Sequence, residues 1–117
     1  MRIGKEEFIE YKDALEGHSL SALWYVTPPE GYSEKNFTFD QRKEFFLLLL
    51  RMLLEDGKIK LAAHGSFLDG SFDEQITRFR EALPATEEDL IHGLWFTFEE
   101  CPGGIVWIHE NGYLDWT

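Results

Sequence analysis

The sequence predicts an α+β fold: about four helices around one hydrophobic central helix, beside a small antiparallel sheet that includes a C-terminal β-hairpin. Three observations predict it. The run Phe45-Phe46-Leu47-Leu48-Leu49-Leu50 is leucine-rich rather than β-branched, so it reads as a buried helix. Ser/Thr-x-x-Glu/Gln/Asp spacings recur before apolar periodic stretches, as helix starts do. Asn111-Gly112 stands between two apolar alternating runs, the strongest short-range hairpin signal.

The elements follow in order. A first helix runs from Lys5 to Glu16, with Phe8, Tyr11 and Leu15 on one face and Gly17 as its stop. Leu23-Trp24-Tyr25-Val26 reads as a short strand ended by Pro28-Pro29, and Glu30–Ser33 as a loop. Thr38 and Gln41 form a capping box for the central helix, which continues to Asp56 and stops at Gly57. Lys58-Ile59-Lys60-Leu61 alternates as a strand does, and a glycine-punctuated turn extends from His64-Gly65 to Asp69-Gly70. Ser71 and Glu74 cap a third helix carrying Phe72, Ile76, Phe79 and Leu83, which Pro84 ends. Thr86 and Asp89 are spaced to open a fourth, with Leu90, Ile91, Leu94, Trp95 and Phe98 inside.

A two-residue Asn-Gly turn sets the expected hairpin register over Ile105–His109 and Tyr113–Trp116. Glu110 then faces Tyr113, His109 faces Leu114, Ile108 faces Asp115 and Trp107 faces Trp116. Trp107, His109 and Trp116 share the core side. Glu110, Tyr113 and Asp115 share the other, because carboxylates resist burial.

One domain, 1–117, accounts for the length, and 44% hydrophobic and 15% aromatic residues suffice for a core. No apolar leader follows Met1-Arg2-Ile3, and no stretch is long enough to span a bilayer. A single cysteine, Cys101, excludes an internal disulfide, so a cytoplasmic setting is expected, without membrane contact.

The net charge is -11, from 22 acids and 11 bases. After Arg80 there is no lysine or arginine, while Glu81, Glu87, Glu88, Asp89, Glu99, Glu100, Glu110 and Asp115 follow. Nucleic-acid binding, which needs clustered cations, is not expected. The acids keep the chain soluble, and they also form a field that steers toward a basic partner.

Motifs for chemistry are lacking. The chain has no Cys-x-x-Cys, His-Glu-x-x-His, calcium loop or Gly-x-Gly-x-x-Gly after a strand. Gly103-Gly104 leads into a strand and reads as a tight turn. Cys101 sits among acids, which oppose a reactive thiolate. His109 is placed across the sheet from both hairpin carboxylates, beyond acid–base reach. An enzyme is therefore not expected, nor a cofactor or metal.

The residues that stand out suit protein binding: Glu87, Glu88, Asp89, Glu99, Glu100, Glu110, Tyr113 and Asp115. The first three also suit the dipole at a helix start; Glu99 and Glu100, at a helix end, do not. Acids around an amphipathic tyrosine match an attractive rim about a dry centre.

The C-terminal half carries a resemblance. Gly57–Leu61, Phe67–Ser71, Glu74-Gln75, Phe79-Arg80, Trp95-Phe96, Glu99–Gly104, Val106-Trp107 and Gly112–Trp116 resemble a family of small acidic bacterial proteins of unknown function. Some members look like immunity proteins encoded beside contact-dependent inhibition or other polymorphic toxins. The matched residues are mostly turns and core aromatics, so the resemblance implies a shared fold and supplies no catalytic set.

The leading expectation is an immunity protein that occludes a basic toxin domain such as a nuclease. A non-toxin adaptor or structural protein is the alternative, and a winged-helix-like regulator a third, which the charge opposes.

Overall fold

Three of the four α-helices occupy the first half of the chain, and all four strands the second. The computed structural model describes residues 1–117. Four α-helices, α1 (Lys5–Leu15), α2 (Leu20–Trp24), α3 (Phe39–Glu55) and α4 (Phe72–Ala82), accompany strands β1 (Ile59–Ala63), β2 (Ser66–Phe67), β3 (Gly104–Ile108) and β4 (Leu114–Trp116). Two 3-10 segments, Glu34–Asn36 and Glu88–Thr97, complete the order. The sheet is antiparallel throughout, in the order β2-β1-β3-β4. The α+β class expected from the sequence is the one observed.

α3 is the hub. Thr38 Oγ1 accepts from Gln41 N at 3.1 Å, and Gln41 Oε1 accepts from Thr38 N at 3.0 Å, closing the capping box. Phe45, Phe46, Leu47, Leu49, Leu50, Leu53 and Leu54 are buried around most of its circumference. Aromatic contacts join it to its neighbours: Tyr11 of α1 to Phe45, Trp24 of α2 to Phe46, and Phe79 of α4 to Phe46. Ile59, Leu61, Ile105 and Trp107 contribute the sheet's share of the core.

Three local expectations are corrected. Leu23–Val26 is no strand: Leu20, Leu23 and Trp24 belong to α2 and are all buried. Their i, i+3, i+4 spacing puts all three on one helical face, whereas a strand would turn Leu23 and Trp24 to opposite sides. Within the segment read as a turn, β2 returns alongside β1. His64 (φ 53°) and Gly65 (φ 78°) are both left-handed, the two-residue turn that suits a twisted hairpin. The helix expected after Thr86 is also absent. Thr86 Oγ1 donates to the Asp89 side chain at 3.0 Å instead of capping a backbone N–H. What forms is a pair of 3-10 turns broken by a reversal at Ile91, His92 and Gly93.

Candidate protein-binding surface

The hairpin register differs from the expected one by a single residue. His109 N donates to Tyr113 O at 2.9 Å and Gly112 N to His109 O at 2.8 Å, so Glu110-Asn111-Gly112 is a three-residue loop. Gly112 takes φ +84°, and Asn111 Oδ1 accepts from Tyr113 N at 3.0 Å. This is the bulged alternative to the two-residue turn. Observed partners are Val106 with Trp116, Trp107 with Asp115 and Ile108 with Leu114. A one-residue slip flips the whole of β4 relative to β3.

Two corrections follow. The tryptophans lie on opposite faces: Trp107 is fully buried, while Trp116 is half-exposed and stacks on Phe67 with ring centroids 5.4 Å apart. His109 and Asp115 share a face instead of opposing each other. His109 Nδ1 lies 2.9 Å from Glu16 Oε1 and Nε2 lies 3.5 Å from Asp115 Oδ2. Glu16 in turn meets Lys58 Nζ at 2.8 Å. The Lys58 ammonium, with a smaller contribution from His109, holds the Glu16 carboxyl below its ordinary range. Each ring nitrogen faces a carboxylate, so neither is aimed at an open site, and the two carboxylates sit on opposite ring edges. That arrangement ties the end of α1 to the hairpin; it neither chelates nor presents a free base.

The surface that does stand open is built on residues 87–100. Ile91 (φ 50°, ψ 56°), His92 (φ 53°, ψ 34°) and Gly93 (φ 92°, ψ -5°) make a left-handed turn. A β-branched residue in that region is an outlier, and each non-glycine there costs roughly 1–2 kcal/mol. Buried anchors on both sides hold it: Leu90 before and Trp95 after, with Phe96 packed on Trp24 and Phe46. Gly93 is required, since a Cβ there would stand 2.6 Å from Ser21 Oγ. The reversal turns side chains outward that a regular helix would bury. Ile91 is 44% exposed, Leu94 54% and Phe98 40%. Carboxylates bracket them, Glu87, Glu88 and Asp89 before and Glu99 and Glu100 after, all exposed. Tyr25, also exposed, joins Glu87, Glu88, Ile91 and His92 around a depression of about 440 Å³.

No lysine or arginine forms an ion pair with these acids. Lys58, Arg78 and Arg80 pair with Glu16, Asp69 and Glu44 respectively. Arg42 is turned inward: its guanidinium donates to the carbonyl oxygens of Trp24 and Val26 and lies 4.0 Å from Glu34, and burial lowers its pKa against the attraction of Glu34 and, more weakly, of Glu87. None of Glu87, Glu88, Asp89, Glu99, Glu100 and Glu110 takes part in an ion pair.

The eight residues singled out from the sequence thus fall in separate places. Glu87, Glu88 and Asp89 flank the left-handed turn, and Glu99 and Glu100 close the same segment. Glu110 and Tyr113 lie beyond the far end of β3, roughly 17 Å of strand away at 3.3–3.4 Å per residue. Asp115 is engaged with His109. Ile91, Leu94 and Phe98 were expected inside a helix and are exposed instead; Gly93 in mid-pattern was the sign that no regular helix runs there. Cys101 is buried, donates to Gly103 O at 3.3 Å, and its thiol is pushed up to about 11 by burial. Gly103 is where the backbone passes close to β1, since a Cβ would lie 2.6 Å from Ala62 O.

Fold and surface together define a small α+β protein that sets exposed apolar side chains between exposed carboxylates. The family model described as "Protein of unknown function, DUF596" matches residues 54–117. A solved structure described as an uncharacterized protein conserved in bacteria, from Neisseria meningitidis, is 32% identical. Its match covers 95% of this chain and 84% of that one, with a TM-score of 0.75. The chain belongs to the DUF596 family. No curated protein matches it. No helix is long and apolar enough to cross a membrane.

Proposed function

We propose that this protein acts by binding another protein: it holds a basic partner, as an immunity protein would hold a toxin domain, and blocks it by occlusion. One observation carries the reading, the exposure of Ile91, Leu94 and Phe98 between carboxylates that form no ion pair. Interfaces combine a dry apolar centre with a charged rim, and backbone strain of the kind at Ile91 and His92 is concentrated at functional sites. The acids speed encounter with a positive surface, and the apolar centre slows release. Glu110, at the other end of the sheet, adds to the field, and Tyr113 near it offers a second flank. The buried free thiol suits a reducing, cytoplasmic compartment.

The test is capture from the source bacterium with a tagged chain, eluted along a salt gradient, comparing wild type with Ile91→Ser/Leu94→Ser/Phe98→Ser. One stoichiometric basic protein should elute from wild type and be lost from the triple variant by a factor of about 100 or more, the scale of truncated hot spots. Glu87→Lys/Glu88→Lys/Glu99→Lys/Glu100→Lys should slow association and flatten its salt dependence. A partner that is not basic, or one that binds the triple variant as well as wild type, would overturn the reading.

A further inference from the structure

The sheet carries helices on one face only. Ile59, Leu61, Ile105 and Trp107 point into the core that all four α-helices share. Their neighbours in sequence, Lys60, Ala62, Val106 and Ile108, take the opposite face, and the register sets Phe67, Leu114 and Trp116 beside them. Ala62 and Val106 are buried, yet neither belongs to that core. The solvated face of an antiparallel sheet ordinarily turns polar residues outward. Here Lys60 is the one polar side chain that the strands present, and none of the chain's 22 acids stands on this face of them.

Phe67 and Trp116 form an arch across it. They stand on β2 and β4, with β1 and β3 between them, roughly 14 Å apart at about 4.8 Å per strand. Their rings nonetheless stack, with centroids 5.4 Å apart and planes 12° apart. Both side chains therefore lean inward over β1 and β3, where Ala62 and Gly104 leave room for them. The arch accounts for the burial of Ala62 and Val106 with no helix above them. Its own outer side stays open: Phe67 is 41% and Trp116 50% exposed. The Lys60 ammonium rests 4.6 Å from the centroid of the Phe67 ring.

We infer that two copies of the chain meet on this aromatic face, sheet against sheet about a two-fold axis. A two-fold interface lays one patch on itself, so the patch must be self-complementary. An apolar patch is; the surface of residues 87–100 is not, since its carboxylates would meet carboxylates. Two chains of net charge -11 repel on approach. This face lets them touch without bringing acids of the strands to the contact, and it offers a basic partner nothing to pair with. Four strands of at most five residues present at most about 300 Å² in plan, below the roughly 800 Å² per partner of a standard interface. The dimer is therefore weak and forms by mass action at high concentration. It is independent of the function proposed above.

Sedimentation equilibrium on the full chain, from about 10 μM to about 1 mM, measures the association. Acrylamide quenching of fluorescence locates it: Trp24, Trp95 and Trp107 are buried, so the quencher reads Trp116. The mass should climb from 13.7 kDa toward twice that value, and Trp116 should become shielded over the same concentrations. Both changes should need less protein at about 150 mM salt than at about 10 mM, because salt screens the repulsion between copies. Lys60→Glu, at an exposed position, sets a carboxylate on each copy's face and should weaken association about tenfold or more. Leu94→Ser, exposed on the other surface, should leave it unchanged. A mass of 13.7 kDa at every concentration would overturn the inference. So would association that leaves Trp116 open to the quencher, that weakens as salt is added, or that Leu94→Ser abolishes and Lys60→Glu spares.

Discussion

Glu16 shows how one side chain can fasten distant parts of the chain. It ends α1, yet it meets Lys58 at the start of β1 and His109 at the end of β3. Because Lys58 chiefly, and His109 to a lesser degree, favour its charged form, its folded pKa lies below the ordinary value of 4.5. A group lowered on folding contributes stability above its unfolded pKa and loses it as pH falls through the folded one. Glu16→Gln should therefore be less stable than wild type at pH 7, with the difference vanishing as pH drops below 4.5. Urea unfolding of both proteins at about pH 7 and about pH 3 checks it; curves with a constant offset would assign Glu16 a role other than its charge. Cys101 makes a second prediction at this scale. With its thiol pushed up to about 11 by burial, it should react with iodoacetamide at pH 8 far more slowly than free cysteine, and at the free rate only after unfolding. The capping residues Thr38, Gln41, Ser71 and Glu74 were legible because their role needs only local spacing. His109 was not, because its neighbours depend on a register that sequence leaves open by one residue.

At the scale of elements, the same distinction between local and distant causes holds. α1, α3, α4 and β1 have strong periodicity and clear stops, and the sequence reading of each agrees with the structure to within a few residues. α2 failed because five residues cannot establish a period, and its helical form follows from burial of Leu20, Leu23 and Trp24 against α3. The β3–β4 loop failed because Asn-Gly serves both two- and three-residue hairpins. The segment Glu88–Thr97 failed for a third reason: its backbone takes a conformation that local preference opposes, held by burial of Leu90 and Trp95. Local strain and tertiary anchoring can be separated by substitution. His92→Gly removes a strained side chain from an exposed position, and relief of roughly 1–2 kcal/mol exceeds the entropy cost of glycine, roughly 0.5–1. Stability should rise by about 0.5–1 kcal/mol. Gly93→Ala should lower it by about 2 kcal/mol or more, since its Cβ meets Ser21 Oγ and its φ is +92°. Chemical denaturation measures both, and a destabilised His92→Gly would show that His92 makes contacts that outweigh its strain.

Over the whole molecule, charge distribution was the most legible feature and its consequence for stability the least. Counting acids gave the sign of the field; only the fold shows that Lys58, Arg78 and Arg80 are spent on internal pairs while the acids of residues 87–100 stand unopposed. Unopposed like charge raises the energy of the compact state. The radius of gyration is 13.7 Å, and the Debye length is about 30 Å at 10 mM ionic strength and about 8 Å at 150 mM. At the lower salt the acids of one face therefore act on the rest of the molecule, and at the higher they largely do not. Thermal stability should rise between these conditions. Glu99→Lys/Glu100→Lys should melt several degrees above wild type at the lower salt, with the gap closing at the higher, because the exchange removes repulsion without touching the core. The same variant is expected to bind a basic partner less well, so the two effects have opposite signs if the acids are kept for recognition at a cost in stability. A gap that persists at 150 mM would place their effect in local contacts, and a variant that melts lower at both salts would make Glu99 and Glu100 structural residues of the segment that leads into β3.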